Sequence, residues 1–194
     1  PEIAGVGEPH RTGIVHRLDA GSTGLLVVAR TQHAYDELVP QFADHSATRM
    51  YKALVWGHPT ALHGVIDAPI GRSRRDPLKM AVVADGRDSR TEYEVVARYV
   101  SPVDCALLEC SLETGRTHQI RVHLSSIGHP LIGDPWYGQR RPTLGMERPF
   151  LHAARLEFDH PNGQGRRAFS SELAADLREM LSELEPIDVE SLGD

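Results

Sequence analysis

Cysteine is almost missing from this chain, with Cys105 and Cys110 the only two in 194 residues. Their odd spacing places them on opposite faces of any strand that carries both, so they cannot bridge one another there. They also lack the C-x-x-C spacing of a zinc site, and the eleven histidines contain no H-E-x-x-H. No metal is expected, and the thiols read as buried and reduced, as in a cytoplasmic protein. No apolar run approaches the ~18 residues of a membrane span. No charged-then-apolar leader opens the chain. It begins at Pro1 instead of Met, which reads as an N-terminally truncated fragment. No internal repeat is visible. The length suits one domain with a sizeable core.

Basic charge is also scarce in total, and the formal net charge is -6. Its distribution reverses that impression. Residues 171–194 hold eight acidic residues and one basic, and the remainder has 19 acidic against 20 basic. Between Gly71 and Arg90 six basic residues face three acidic ones. A basic loop on a near-neutral body suits a polyanion, because the local field governs contact more than the total does. A solvated loop is the plainer alternative.

Hydrophobic periodicity predicts many short strands and few helices. A strand end is expected at Ile14, Val15 and Leu18, and a buried strand at Leu25–Ala29. A helix follows, capped by Thr31 with Tyr35, Leu38, Val39 and Phe42 on one side, which Pro40 should kink or end. Further strands are predicted at Met50–Trp56, Val65–Ile70, Met80–Val83, Thr91–Tyr99, Ala106–Leu112, Leu151–Ala154, Leu156–Asp159 and Arg166–Ser170. A second helix should start with Thr117 as N-cap and run to about Ile127, closed by Gly128. It carries Ile120, Leu124 and Ile127 on one face and His118, Arg121 and Ser125 on another. The acidic C-terminal stretch has helical spacing from Leu173 to Leu184. The pattern predicts an α+β fold on a mixed, mostly antiparallel sheet flanked by helices and loops. Residues 1–194 read as a single domain with an acidic helix or tail at 171–194.

The chemistry concentrates in His16-Arg17-Leu18-Asp19 and the Gly21-Ser22-Thr23-Gly24 turn after it. A carboxylate on a turn between two strands is placed where reactive groups often sit. The same Asp could simply cap turn N–H groups. Gly21–Gly24 also fits the G-x-x-G loop of a KH-type RNA-binding module, but that loop joins two helices and here a strand is expected next. A hydrolase built on Ser22, His16 and Asp19 lacks the G-x-S-x-G elbow.

The stretch His16–Asp19, followed by Thr23-Gly24-Leu25-Leu26-Val27-Val28-Ala29, resembles the nucleophile motif of the RluA-type RNA pseudouridine synthases. Tyr51-Lys52-Ala53-Leu54-Val55 resembles their tyrosine motif. Gly115-Arg116-Thr117-His118-Gln119-Ile120-Arg121-Val122-His123-Leu124 resembles their arginine motif. Gly128–Asp134 and Leu151-His152-Ala153-Ala154 also match, in the family's order. Pro69-Ile70-Gly71, with Lys79-Met80-Ala81-Val82 after it, is most similar to the subgroup that modifies large-subunit ribosomal RNA. The family usually has Lys-Asp-Thr-Ser-Gly after the catalytic Asp; here Ala20-Gly21-Ser22-Thr23-Gly24 stands instead, so a basic contact is lost.

The resemblance implies a single catalytic domain that isomerises uridine to pseudouridine in RNA by base flipping, with ribosomal RNA favoured and transfer RNA the alternative substrate. It implies Asp19, Tyr51 and Arg121 as catalytic residues, Arg121 pairing with Asp19 to keep it ionised. His16, Arg17, Arg116, His118, Arg72, Arg74, Arg75 and Lys79 would contact RNA, with Arg17 helping to displace the target base. No cofactor, metal or membrane partner is implied, and the protein is expected to be a cytoplasmic monomer.

Overall fold

A computed structural model of the chain describes residues 3, 5–138 and 140–188. Its elements run β1 (Thr23–Gly24), α1 (Gln32–Ala43), β2 (Thr48–Trp56), β3 (His63–Asp67), β4 (Ile70–Arg72), β5 (Met80–Val82) and β6 (Arg90–Ser101). Then come β7 (Cys105–Leu112), α2 (Gln119–Ser126), β8 (Leu151–Asp159), β9 (Arg166–Ser170), α3 (Ala175–Ser182) and β10 (Glu185–Ile187). Eight strands form one sheet in the order β1-β8-β2-β7-β6-β10, with β3 also on β6 and β9 also on β8. β1 and β8 pair in parallel and the other neighbours in that sheet are antiparallel. β4 and β5 form a separate two-stranded ribbon. This is the α+β architecture that the strand-rich pattern predicts. Among the described residues no helix is long and apolar enough to cross a membrane.

The centre of the sheet is apolar on both faces, which follows from alternation along each strand. On β2, Tyr51, Ala53 and Val55 point to the side covered by Ile120 and Leu124 of α2. Leu54 and Trp56 point to the side covered by Leu177 and Met180 of α3. Cys110 belongs to the first layer and Cys105 to the second. Both are free, and burial pushes both thiols up to about 12, so neither is a nucleophile at neutral pH. A third cluster joins Leu38 and Phe42 of α1 to Leu156 and Phe158 of β8.

Several expectations need correction. Leu25–Ala29 is not a buried strand: only Thr23 and Gly24 join the sheet, Val28 makes a lone bridge to Ile14, and Leu26 and Val28 are exposed. Ile14 therefore carries a bridge and no strand. The reason is competition for one edge of β8. Thr23 and Gly24 take His152 and Ala153, but from Arg155 onward that edge is paired with β9. Helix α1 starts from Thr31 as expected, whose hydroxyl accepts from Ala34 N at 3.1 Å. It does not end at Pro40 but continues to Ala43, because Leu38 and Phe42 on either side of the proline are buried. Helix α2 is capped by His118, in the left-handed region at φ 57°, and not by Thr117. Ile127 of its predicted apolar face is exposed.

The predicted strand Val65–Ile70 is broken at Ala68 and Pro69, giving the ends of β3 and β4. The C-terminal helix stops at Ser182, short of Leu184, and the chain then adds β10 to the β6 edge. Pro186 ends the helical possibility there and, having no N–H to donate, sits acceptably in an edge strand. The last part of the expected acidic tail, residues 189–194, lies outside the described residues.

Candidate active site

The segment that carries Asp19 is pinned from behind. Gly24 adopts φ 105°, and a Cβ there would come within 2.2 Å of the Ala153 carbonyl oxygen. Only glycine allows that approach. Next to it the Thr23 hydroxyl bonds the His152 ring at 2.8 Å, and Leu25 N donates to Ala153 O at 3.0 Å. Ser22 N donates to Asp19 O at 3.0 Å, closing the turn. The Gly-Ser-Thr-Gly run is therefore a structural pin onto β8. It ends in β1 itself and joins no pair of helices, which removes the KH-type alternative.

Opposite it, the start of α2 is fixed by Gln119, a buried side chain that sequence reasoning passed over. Gln119 accepts from Thr114 Oγ1 at 2.7 Å and from Arg116 N at 3.0 Å. It donates to Arg90 O and Thr91 Oγ1, both at 2.9 Å. With every polar atom of the amide engaged, the loop before the helix has one shape. That shape turns His118 N toward Asp19, whose Oδ1 accepts from it at 3.4 Å.

Arg121 follows one turn later. Its Nη1 stands 3.8 Å from Asp19 Oδ2, so the two residues expected to meet do meet. Its stronger partner is one the sequence reading did not assign a role. Asp134 accepts from Nε at 2.7 Å and from Nη2 at 2.9 Å, and the Asp134 carboxylate is fully buried. Asp134 Oδ1 also accepts from Trp136 N at 2.9 Å and Tyr137 N at 3.0 Å. The rings of Tyr137 and Trp136 lie 5.1 and 5.7 Å from the guanidinium carbon. Burial works against the charge on Arg121, and the Asp134 bonds with the Asp134 and Asp19 charges more than offset it, so its pKa is raised. The signal for Asp134 was its place in the glycine-bounded loop Gly133–Gly138, but nothing in sequence spacing links it to Arg121.

Asp19 opens on a cleft of about 360 Å³, at the small end of ligand-binding cavities. His16, Arg17, Tyr51 and Arg116, four of the expected site residues, line it too. Arg121 stands behind Asp19 and is not part of the wall. Tyr51 comes from β2 at a register shift against β8, the kind of bulge that re-aims a side chain. Burial pushes its phenol up to about 12, so it is neutral at physiological pH. His16 stacks on Phe42 with ring centroids 4.4 Å apart. Its Nε2 accepts from Val27 N at 3.0 Å, and burial and then the Arg49 charge lower its pKa to about 4. It is a neutral imidazole with the proton on Nδ1. Burial also lowers the pKa of His118, whose Nδ1 pairs with the Tyr137 hydroxyl at 2.9 Å.

Arg72, Arg74, Arg75 and Lys79 do not line this cleft. They sit on the β4–β5 ribbon, where Arg74 pairs with Asp85 at 3.2 Å and Lys79 donates to Trp136 O at 3.1 Å. The ribbon is docked beside the site through Tyr137, whose hydroxyl accepts from Met80 N at 3.0 Å. Arg49 and Arg87, which sequence reasoning left out, do line the cleft. Arg49 was legible only as the residue two before Tyr51, on the same face of β2.

A buried guanidinium thus stands behind a cleft-facing carboxylate on a mixed, mostly antiparallel sheet. The chain belongs to the RNA pseudouridylate synthase family, whose model matches residues 5–126. Within it, the chain is 47% identical over 187 residues to ribosomal large subunit pseudouridine synthase D of Zymomonas mobilis, covering 91% of this chain and 57% of that protein. It is 49% identical over 185 residues to an uncharacterized RNA pseudouridine synthase of Chloroflexus aurantiacus, covering 95% of this chain and 57% of that protein. The fold matches human RNA pseudouridylate synthase domain containing 1 with a TM-score of 0.77 and 26% identity, over 90% of this chain and 74% of that one. The chain thus spans little more than half the length of these curated relatives.

Proposed function

We propose that this chain carries the catalytic unit of an enzyme that converts uridine to pseudouridine in large-subunit ribosomal RNA. The observation that carries the reading is Asp19 on the wall of a cleft, 3.8 Å from a guanidinium that Asp134 holds in place. The ribosomal substrate is supported by the names of relatives such as the Zymomonas mobilis protein and by the basic β4–β5 ribbon at the margin.

The isomerisation breaks the bond from the ribose C1′ to N1, turns the base and rejoins C1′ to C5. The C5 proton leaves and N1 gains one, so no atom is lost overall. Asp19 serves as the carboxylate this needs, either as nucleophile or as base toward a sugar proton. Arg121 places a positive charge 3.8 Å from it, and His118 N adds a donor at the helix start. The neutral phenol of Tyr51 offers a face for the base and a hydroxyl for proton transfer near C5. A uridine within a stem must first swing out at a cost of a few kcal/mol, which Arg17 and stacking would offset. The Arg72, Arg74, Arg75 and Lys79 side chains would contact phosphates and make binding salt-dependent. The reaction would take place in the cytoplasm, where ribosomes are assembled.

The test follows the lost proton. Ribosomal RNA labelled with tritium at uridine C5 should release the label with the wild-type protein and not with Asp19→Asn or Asp19→Ala. Undiminished release by Asp19→Asn would overturn the assignment. Transfer RNA labelled in the same way is the control for substrate class.

A further inference from the structure

Four buried side-chain atoms that line the cleft beside Asp19 have no hydrogen-bond partner among the described residues: His16 Nδ1, Ser22 Oγ, Arg49 Nε and Arg49 Nη2. Buried polar groups are nearly always satisfied, so a local cluster of exceptions calls for an occupant. Arg49 is the strongest of them. It is only 7% exposed, and its guanidinium carbon lies 5.8 Å from the centre of the Phe42 ring on which His16 is stacked. Burial opposes its charge, and no carboxylate faces it: the one acidic residue on the wall is Asp19, which stands against Arg121.

Nε and Nη2 form one edge of the guanidinium, with two parallel N–H donors. In Arg121 and in Arg148 that same edge clasps both oxygens of a carboxylate, Asp134 and Asp176. An unpaired edge of this kind matches an anion with two oxygens better than a single base carbonyl. The Nδ1 proton of His16, on the wall of the same cleft, adds a third donor. Arg17, Arg87 and Arg116 raise the positive potential of the wall. Gly115 leaves the room: a Cβ there would lie 2.5 Å from Arg49 Nη1.

We propose that Arg49, with His16 Nδ1–H and Ser22 Oγ–H, binds the non-bridging oxygens of a backbone phosphate belonging to the nucleotide drawn into the cleft. The site orients the ribose by its phosphate so that its reacting carbon faces Asp19, and so acts as a binding and positioning device. This rests on the reading that the cleft receives a nucleotide of RNA.

The test uses the complete protein, and the probe is a transcript of large-subunit ribosomal RNA. Filter binding is measured across a salt series for wild type, Arg49→Met and Arg49→Lys, with thermal melting of each protein alone. Arg49→Met keeps the stem against Phe42 and removes an uncompensated buried charge, so it should melt no lower than wild type. Its RNA affinity should fall about tenfold, and the slope of log K against log salt should flatten by about 0.7 to 0.9, one phosphate contact. Arg49→Lys should keep the slope. Unchanged affinity would overturn the proposal, and so would weaker binding with an unchanged slope, which would place a neutral acceptor at Arg49. A lower melting temperature for both variants would mark a structural role and overturn it as well. The slope does not depend on turnover: a flattened slope with no tritium release by wild type would refute the isomerase reading and leave the phosphate site standing.

Discussion

Arg121 is gripped by Asp134, at 2.7 and 2.9 Å, and only approached by Asp19, at 3.8 Å. The division matters because the guanidinium is then fixed by Asp134 while the Asp19 carboxylate stays outside that two-pronged grip, open to the role proposed for it. A carboxylate tied up in a two-pronged bond of its own would be a poor nucleophile or base.

Removing the grip should expose this. In Asp134→Asn the Arg121 charge loses its buried counter-ion, and breaking such a pair costs about 3–5 kcal/mol. The Trp136 and Tyr137 N–H groups can still be accepted by the amide oxygen, so the loss is assigned to the charge. Denaturant unfolding should show a drop of that order, and tritium release should fall at least tenfold. Unaltered stability would mean that Arg121 finds its compensation elsewhere.

Gly24 should tolerate no side chain. Gly24→Ala meets the Ala153 carbonyl oxygen at 2.2 Å in a left-handed backbone conformation. Backbone strain and overpacking of this kind each cost about 1–3 kcal/mol. The substitution should lower stability by about 3 kcal/mol and reduce turnover more than RNA affinity, since it displaces the Asp19 turn and leaves the basic ribbon alone. Thermal melting and a separation of kcat from KM check this.

The protein should weaken in mild acid. His16 has a folded pKa of about 4 against an ordinary value of 6.5, because burial and the Arg49 charge disfavour its protonation. The unfolded chain therefore takes up a proton that the folded one refuses. The stability from this residue is fully present above pH 6.5 and is lost as pH falls toward 4, amounting to about 3 kcal/mol at most. Burial lowers the pKa of His118, His123 and His152 as well, which adds to the same slope. Urea unfolding between pH 7 and pH 4.5 should show the decline, and His16→Phe should flatten it. An equal slope in His16→Phe would assign the effect to the other histidines.

Much of the frame can be read from the chain. The apolar character of Met50–Trp56 and Ala106–Leu112 predicts strands, and the structure places them as β2 and β7 at the centre of the sheet. The two cysteines fall on opposite faces, as their spacing requires. The misreadings share one cause. Leu25–Ala29 has the composition of a strand, but its partner edge on β8 is occupied by β9, some 140 positions later in sequence. Pro40 has the local character of a helix breaker, but burial of Leu38 and Phe42 decides the matter.

By itself the sequence determined the family, because the motifs around Asp19, Tyr51 and Arg121 are local patterns that stand whatever the fold does with them. It also determined where most of the strands lie, since a strand's apolar pattern is a local property. Only the tertiary structure decided that Asp134 and not Asp19 holds Arg121, that Gln119 shapes the helix start, and that Arg49 stands buried with an open pair of donors. Those relations depend on distances between segments far apart in the chain. Ion-pair and hydrogen-bond partners are chosen at the range of a few ångströms, which no spacing along the sequence encodes.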